Sequence, residues 1–270
     1  MSTAGDVHRP PPGYALVEVL TGGPFFHVML VTRDGMTLVA KRANARFASD
    51  PAGVEMIVAE AAVLARLDGV GAPKLVASGT DTHGPFVVSE WCSGTAIGDL
   101  VHDAHLSWMR VHALFDGLAY LHFRRVTHGD PSPTNIFLDG SQALFLDFGL
   151  ATLDGRTSRG GAFAGTLAYS APEVARDGAR AVASASDVFA VAATLLHHLS
   201  GHAPRPNLPA PALLVHVAEI GIDSAAFAPL PPDLATLLGL ALSPDPADRP
   251  TARWLADESA RADMARYKES

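Results

Sequence analysis

The chain has 270 residues, of which 48% are hydrophobic and 18% are charged, and its formal net charge at pH 7 is −8. This hydrophobic content supports a packed core and excludes a predominantly disordered chain. The negative charge disfavours nucleic acid and anionic membranes as partners, because both would repel it. The sequence contains neither an apolar run long enough to span a membrane nor an N-terminal signal core, and its single cysteine, Cys92, cannot form an internal disulfide. We therefore expect a cytoplasmic protein.

The first third of the chain predicts short strands and one helix. Residues 1–13 contain three consecutive prolines and are expected to form a flexible tail. A helix is predicted from about Pro51 to Asp68, where apolar residues recur at helical spacing and Asp50 is a suitable N-cap. The predicted strands are apolar or alternating runs separated by turn residues, at 15–20, 26–32, 37–42 and 85–90.

Beyond residue 93 the pattern becomes helical. An apolar stripe over residues 111–121 predicts one helix, and residues 188–199 and 234–242 predict two more. Proline-rich loops are expected at 201–211 and 229–232.

These elements predict an α+β fold with two lobes. The small β-rich N-terminal lobe, with its one helix, would comprise residues 14–93. The larger helical C-terminal lobe would comprise residues 94–265, with a short tail at 266–270.

The most informative motif is residues 128–135, His-Gly-Asp-Pro-Ser-Pro-Thr-Asn, followed by Asp-Phe-Gly at 147–149. The motif supplies two carboxylates and a carboxamide at the spacing that phosphoryl transfer from a nucleotide requires. Asp130 can orient a hydroxyl nucleophile, whereas Asn135 and Asp147 are hard oxygen donors suited to Mg²⁺. Alone, Asp130 would be interpreted as an ordinary turn residue before proline, but the other two favour a catalytic role.

Together with matches on both sides, this string resembles the protein kinase superfamily, in particular its eukaryotic-like bacterial Ser/Thr kinases. The matches follow the family's order from about residue 14 to about residue 261. They include Leu38-Val39-Ala40-Lys41 and residues 59–67, 165–173, 186–188 and 249–251. The resemblance implies a bilobal protein-kinase-like fold.

The resemblance also implies ATP as phosphoryl donor, Mg²⁺ as metal ion, and serine or threonine hydroxyls of proteins as acceptors. Asp130 would be the catalytic base. An ion pair between Lys41 and Glu60 would place the lysine on the α- and β-phosphates. Glu55 competes with Glu60 for this role, but leucines at the family's spacing follow Glu60.

A nucleotide-binding set follows from the same resemblance. Backbone groups of residues 90–92 would bind the adenine edge. Val28 and Ala40 would cover the ring from one side and Phe137 from the other, although all three are equally explained as core. The full implied set is Lys41, Val28, Ala40, Glu90, Cys92, Gly23 and Phe137.

Two further pairs are expected to shape the C-terminal lobe rather than to react. Arg249 would form a buried ion pair with Glu173. Asp187 would accept hydrogen bonds from the backbone of the catalytic loop.

Three positions depart from the family's pattern. The phosphate-covering loop, residues 21–26, keeps only its middle glycine, Gly23, and Phe26 stands where a glycine would let backbone N–H groups approach phosphate. Gly129 replaces the arginine before the catalytic aspartate, and Ser132 replaces a lysine that contacts the γ-phosphate. Losing that lysine removes transition-state stabilisation, so we expect slow activity.

The arginine that Gly129 replaces is the anchor for a phosphorylated activation loop. We therefore expect an atypical, non-RD kinase, meaning one without arginine before the catalytic aspartate. Its activation segment, residues 147–173, would be set constitutively or by a regulatory partner protein. Activity should persist when Thr152, Thr157 and Ser158 are all replaced by alanine.

Three functions remain open. The leading hypothesis is a Ser/Thr protein kinase, since Thr166 favours Ser/Thr over Tyr acceptors. The departures motivate a pseudokinase that acts as a scaffold or allosteric switch. A small-molecule kinase is the third hypothesis, because His-Gly-Asp also occurs in antibiotic and sugar phosphotransferases, but residues 171–173 and Arg249 belong to the peptide-binding lobe of protein kinases.

Overall fold

The structure, a computed structural model, describes residues 8–22, 25–45, 47–100, 107–155 and 165–267. The chain divides into two compact units. Unit 1 comprises the residues up to Ser93 together with Asp147–Gly149, and unit 2 comprises Gly94–Leu146 and the residues from Leu150 onwards.

Strands and helices follow one another in the order expected for an α+β chain. The strands are β1 (Ala15–Gly22), β2 (Phe26–Arg33), β3 (Met36–Ala43), β4 (Leu75–Asp81), β5 (Gly84–Glu90), β6 (Thr95–Ala96), β7 (Val126–Thr127), β8 (Ile136–Asp139), β9 (Gln142–Phe145) and β10 (Thr152–Leu153). The α-helices are α1 (Pro51–Leu67), α2 (Ser107–Phe123), α3 (Pro172–Asp177), α4 (Ser184–Ser200), α5 (Ala210–Glu219), α6 (Pro232–Ala241) and α7 (Ala252–Tyr267).

Unit 1 is built on an antiparallel sheet with the strand order β1-β2-β3-β5-β4. One face of this sheet carries a hydrophobic core that includes Met29, Leu38, Ala40 and Val88 and is closed by Tyr14. The four predicted strands are confirmed, each with ends within a residue or two of the prediction. Strand β4 was not predicted because most of its residues are small or polar and exposed.

Helix α1 begins and ends as its sequence predicts. The side chain of Asp50 accepts a hydrogen bond from the backbone N–H of Ala52 at 2.8 Å, and Pro51 occupies the first turn, where a missing N–H costs nothing. The helix ends at Asp68, which adopts the left-handed conformation with φ of 49°. Its buried face includes not only leucines but also Glu60.

Residues 8–13 differ from the predicted flexible tail. The ring of His8 packs edge-on against that of His27 at 4.5 Å, and the carbonyl of Arg9 accepts a hydrogen bond from Arg42 Nη1 at 3.2 Å. The backbone N–H of Tyr14 donates to the carbonyl of Pro11 at 3.2 Å. This segment is held because the buried Arg42 requires acceptors, which a composition-based prediction does not consider. The rest of the predicted tail, 1–7, lies outside the described residues.

Unit 2 is helical, with small antiparallel ladders of order β6-β8-β9 and β7-β10. Helices α2, α4 and α6 confirm the three predicted helices. Helices α5 and α7 were not predicted. The predicted loop 201–211 is shorter than expected, because Pro211 lies in the first turn of α5, where proline is favourable.

None of the helices in the described part of the chain combines the length and the hydropathy needed to cross a bilayer.

Candidate active site

In unit 1, Lys41 lies between two carboxylates. Its Nζ atom donates to Oε2 of Glu60 at 2.8 Å and to Oδ1 of Asp147 at 2.5 Å. Lys41 and Glu60 are each 7% exposed. Strand β3 presents the lysine on the sheet face opposite the hydrophobic core, and α1 turns Glu60 towards it. The predicted pairing of Lys41 with Glu60, rather than Glu55, is therefore present.

The electrostatics of this group favour an ionised lysine. Burial lowers the pKa of Lys41, but the charges of Glu60 and Asp147 outweigh it, so the pKa is raised above its ordinary value. Burial raises the pKa of Glu60; the ammonium of Lys41 opposes this shift and Asp147 adds to it. One cation thus serves two carboxylates, and the group carries excess negative charge that a further cation would balance.

The Asp-Phe-Gly triplet has a constrained backbone. Asp147 adopts the left-handed conformation with φ of 59°, which is uncommon outside glycine. Its Oδ1 also accepts from the backbone N–H of Gly149 at 3.2 Å. A Cβ atom at Gly149 would lie only 3.1 Å from that oxygen and 3.3 Å from Cε of Met56. Phe148 is completely buried, so the triplet places a half-exposed carboxylate beside Lys41.

The ring of Phe26 lies over Lys41, at a position where the family has a glycine that lets backbone N–H groups approach phosphate. Its ring centroid lies 5.0 Å from Nζ of Lys41, within the range of a cation–π interaction. The ring of Phe47 packs edge-on against it at 5.4 Å. This cluster accounts for a large side chain where the family has glycine. Gly23, the predicted phosphate-loop glycine, lies outside the described residues.

The predicted adenine-covering residues lie on different faces of the sheet. Val28 is the partner of Lys41 in the β2–β3 ladder, so the two share a face. Ala40 is fully buried in the core on the opposite face. The prediction for Ala40 is therefore wrong: successive side chains of a strand alternate, and the neighbour of Lys41 cannot lie beside a ligand that Lys41 holds. Val39 shares the face of Lys41 and is the better candidate.

The remaining nucleotide-binding predictions concern residues 90–92 and Phe137. The backbone N–H of Glu90 donates to the carbonyl of Lys74 at 2.9 Å, so this N–H is committed within unit 1. Cys92 is partly exposed. Phe137 lies in β8 of unit 2 and is partly exposed. The roles of these residues stay predictions.

In unit 2, residues 128–135 form a loop between β7 and β8 that is anchored by Asp187. The carboxylate of Asp187, which is 1% exposed, accepts from the backbone N–H groups of His128 at 2.7 Å and of Gly129 at 2.9 Å. The predicted hydrogen bonds from the loop backbone to Asp187 are confirmed. His122 contributes a further contact to this carboxylate at 3.2 Å, which was not predicted.

Gly129 is required by the shape of this loop. Its φ is 85°, and a Cβ atom here would lie 2.5 Å from the carbonyl oxygen of Leu150. No side chain, arginine included, fits this backbone without movement.

Asp130 is fixed by neighbours on several sides. Its Oδ1 accepts from the backbone N–H of Thr166 at 2.9 Å, and its Oδ2 accepts from the Thr166 hydroxyl at 3.1 Å. Nδ1 of His128 accepts from the Asp130 backbone N–H at 3.2 Å. Nδ2 of Asn135 donates to the Asp130 carbonyl at 3.0 Å. The structure thus brings Asp130 and Asn135 together and adds Thr166, which the sequence indicated only as a marker of acceptor class.

The two predicted metal ligands, Asn135 and Asp147, present oxygen atoms suited to Mg²⁺. Because Nδ2 of Asn135 is used to bind the Asp130 carbonyl, its carboxamide oxygen is the end suited to a metal. Asp147 offers a carboxylate whose side chain is 53% exposed. Both are hard oxygen donors and fit Mg²⁺, which binds through one or two such groups together with substrate phosphates. Within the described ranges, no group of three or more His, Cys, Asp or Glu side chains could hold a metal ion by itself.

Glu173 and Arg249 form the predicted buried pair. Nη1 and Nη2 of Arg249 donate to the two carboxylate oxygens of Glu173 at 2.6 and 2.8 Å. The remaining donors of Arg249 reach the carbonyls of Ser243, Ala185 and Pro244. The pair is saturated with hydrogen bonds, which identifies it as a structural support of unit 2.

Comparison with known proteins agrees with this geometry. Residues 14–259 match the protein kinase domain family, and the chain belongs to the protein kinase family.

Several bacterial Ser/Thr kinases are among the similar proteins. The chain is 29% identical over 216 residues to serine/threonine-protein kinase PknL of Mycobacterium bovis, covering 76% of this chain and 54% of PknL. It is 29% identical over 259 residues to the probable serine/threonine-protein kinase PkwA of Thermomonospora curvata, covering 93% of this chain and 34% of PkwA. For PknB of Mycolicibacterium smegmatis the identity is 28% over 197 residues, covering 68% and 31%. The resemblance to eukaryotic-like Ser/Thr kinases is confirmed, although the chain spans only about half the length of PknL.

Proposed function

We propose that the chain transfers the γ-phosphoryl group of ATP to serine and threonine hydroxyls of proteins in a Mg²⁺-dependent reaction. The observation that carries this proposal is the buried ammonium of Lys41 between Glu60 and Asp147. A lysine held in this way is a preformed site for the α- and β-phosphates. The names of the bacterial relatives support proteins as the acceptors.

Each residue has a proposed task. Lys41 binds phosphate oxygens, and Glu60 keeps its side chain in place. Asp130 orients the acceptor hydroxyl and takes up its proton, while the two hydrogen bonds from Thr166 fix the direction of its carboxylate. Asn135 and Asp147 would hold Mg²⁺, which when bound neutralises charge on the phosphates.

We further propose that turnover is slow. Ser132, which stands where the family has a phosphate-contacting lysine, is 1% exposed and supplies no cation. Phe26 lies over Lys41, and a nucleotide would have to displace its ring to reach the ammonium from that side. The loss of one stabilising donor at such a site costs about 10²–10³ in rate.

The test is a purified-protein assay with labelled ATP, Mg²⁺ and generic protein substrates. Wild-type protein should label the substrates. Asp147→Ala and Asp130→Asn should each abolish labelling, whereas Asp263→Ala, which removes an exposed carboxylate from α7, should not. Equal labelling by wild-type protein and Asp147→Ala would refute the proposal.

A pseudokinase is the second candidate, and the ring of Phe26 over Lys41 is the observation that favours it. ATP binding without turnover, in both wild-type protein and Phe26→Gly, would establish that function. If Phe26→Gly gains turnover, the enzyme interpretation stands and the side chain of Phe26 lowers the rate of phosphoryl transfer in the wild-type protein. Transfer only to small alcohols would indicate a small-molecule kinase instead.

A further inference from the structure

Unit 1 contains a polar cavity that is not lined by the residues of the proposed active site. Its volume is about 430 Å³. It lies where the N-terminal segment, the ends of β2 and β3, the β3–α1 connection and the β4–β5 turn meet. The residues that line it are Arg9, His27, Arg42, Ala43, Ala45, Ala48, Ser49, Thr82, His83 and Gly84. We refer to it as the basic cavity.

The charge of the basic cavity is opposite to that of the whole chain. Arg9 and Arg42 line it, and although Asp81 pairs with Arg42, the described lining itself includes no aspartate or glutamate in a chain whose net charge is −8. Two guanidinium groups with one paired carboxylate leave a local positive charge, which an anion would balance.

Arg42 is the buried member of this group. It is 3% exposed; its Nη2 donates to Asp81 at 2.6 Å and its Nη1 donates to the Arg9 carbonyl at 3.2 Å. Its Nε is buried and has no acceptor within the part of the chain that the structure describes. The carboxylate of Asp81 therefore satisfies only part of the guanidinium, and leaving a buried donor without an acceptor costs free energy.

Arg9 and His83 complete the polar wall. Nη1 of Arg9 donates to Nε2 of His83 at 3.4 Å, and the backbone N–H of His83 donates to Oδ1 of Asp81 at 2.7 Å. Ser49 and Thr82 add two hydroxyl groups to the lining. Arginine forks and hydroxyl donors are the groups that bind phosphate oxygens in proteins.

The size and lining of the cavity narrow the class of ligand. A volume of 430 Å³ exceeds what a bare phosphate needs and lies in the lower range of ligand pockets. No Phe, Tyr or Trp lines the cavity among the described residues, which disfavours a stacked nucleobase. A phosphate carried on a small aliphatic side chain fits both observations.

We propose that the basic cavity binds a phosphomonoester dianion, and specifically a phosphorylated serine or threonine of a peptide segment. The cavity wall is continuous with the chain that leads into α1, because Ala45, Ala48 and Ser49 immediately precede that helix. The β4–β5 turn packs tightly on this connection: a Cβ atom at Gly84 would lie 2.9 Å from Cβ of Ala48. A bound phosphate would join the N-terminal segment, the turn and the entry to α1, and so stabilise unit 1.

The experiment measures the binding of a fluorescent phosphoserine peptide without ATP or Mg²⁺, so that no phosphoryl transfer takes place. The same peptide without phosphate, and inorganic phosphate alone, are the comparison probes. Arg9→Gln/His83→Gln is the informative double variant, because it removes both side chains of this contact and keeps the Arg9 carbonyl that Arg42 needs. Arg33→Gln is the matched control, an arginine of unit 1 outside the cavity.

Wild-type protein and Arg33→Gln should bind the phosphopeptide at least about tenfold more tightly than the unphosphorylated peptide, and Arg9→Gln/His83→Gln should lose that preference. If inorganic phosphate competes at equal affinity, the same anion site is used and the free ion is its ligand. Equal binding of both peptides overturns the proposal. So does a phosphate preference that survives in the double variant, or one that Lys41→Met abolishes, since the latter would place the ligand at the proposed nucleotide site.

Discussion

Arg249 and Arg205 both lie against the ring of Phe189, at 4.9 and 5.8 Å from its centroid, but they differ in their partners. Arg249 is saturated by Glu173 and by carbonyl groups. Arg205 is 4% exposed, donates to the carbonyls of Gly221 at 2.8 Å and Ser170 at 3.5 Å, and has a buried Nε without an acceptor in the described structure. Burial lowers the pKa of Arg205 to about 10.

We predict opposite outcomes when these arginines are replaced by methionine. Arg249→Met leaves the carboxylate of Glu173 buried without its counter-ion and should lower the free energy of unfolding by about 3–5 kcal/mol. Arg205→Met removes a buried charge that no carboxylate balances in the described residues, so the change should be below about 1 kcal/mol or stabilising. Denaturation in urea measures both. Equal losses of unfolding free energy in the two variants would show that the ion pair of Arg249 with Glu173 does not determine the cost of removing a buried arginine.

Lys41→Met should give a stability loss that depends on pH. Without the ammonium, burial and the charge of Asp147 still raise the pKa of Glu60, and nothing opposes them. A carboxyl whose pKa is higher in the folded state destabilises the fold above that pKa, and the cost disappears as pH falls through it. The difference in melting temperature between wild-type protein and Lys41→Met should therefore narrow from about pH 7 to about pH 5. In the background of Glu60→Gln, adding Lys41→Met should give a difference in melting temperature that changes much less over this pH range, because only the half-exposed carboxylate of Asp147 then interacts with the lysine.

At the scale of elements, the loop of residues 128–135 requires Gly129 for two reasons, its backbone conformation and the lack of space for a Cβ atom, and two variants separate them. Gly129 has φ of 85° and a Cβ atom there would meet the Leu150 carbonyl at 2.5 Å, whereas Gly140 has φ of 60° and open space around it. Gly140→Ala should lower the free energy of unfolding by about 1–2 kcal/mol, which is the cost of the left-handed backbone conformation alone. Gly129→Ala should cost clearly more, because the backbone must also move. Thermal unfolding of both variants tests this, and equal melting temperatures would remove the steric argument for the missing arginine.

The activation segment is the second element with a testable property. Thr152 lies in β10, paired with Thr127 of β7, and is 6% exposed, so it is not accessible to a kinase. Thr157 and Ser158 lie outside the described residues. We predict that alanine at all three positions leaves the phosphorylation rate of protein substrates within about threefold of wild type, because Gly129 provides no anchor for a phosphate. Loss of activity to background in this variant would contradict the prediction.

The sequence predicted elements best where apolar periodicity was strong. Strand β4 was missed because Ser78, Gly79 and Thr80 give it no alternating pattern, and α7 was missed because most of its apolar residues are alanines, which give only a weak apolar stripe. In the site, Lys41 and Glu60 followed from the family resemblance. The error at Ala40 was avoidable, since alternation along β3 already placed it on the other face from Lys41. The basic cavity had no sequence signal, because residues as distant as Arg9 and His83 meet only in the fold.

At the scale of the whole molecule, ligand binding should increase the free energy of unfolding. A ligand that binds only the folded state raises the free energy of unfolding by RT ln(1 + [L]/Kd), or about 2.7 kcal/mol at a concentration of 100 Kd. If Lys41 holds the phosphates and Asn135 and Asp147 hold Mg²⁺, ATP with Mg²⁺ should raise the melting temperature more than ATP with a chelator.

Three variants separate the rise in melting temperature that ATP causes from the further rise that Mg²⁺ causes. Asp147→Ala should remove the part that depends on Mg²⁺ and keep a smaller effect of ATP, because Lys41 retains Glu60. Lys41→Met should remove both parts, and Asp263→Ala, the exposed control in α7, should keep both. Differential scanning fluorimetry at a fixed protein concentration measures all four proteins together. A gain from Mg²⁺ that is undiminished in Asp147→Ala would show that the metal binds elsewhere, and labelled phosphate transfer would then need a different explanation from the one proposed above.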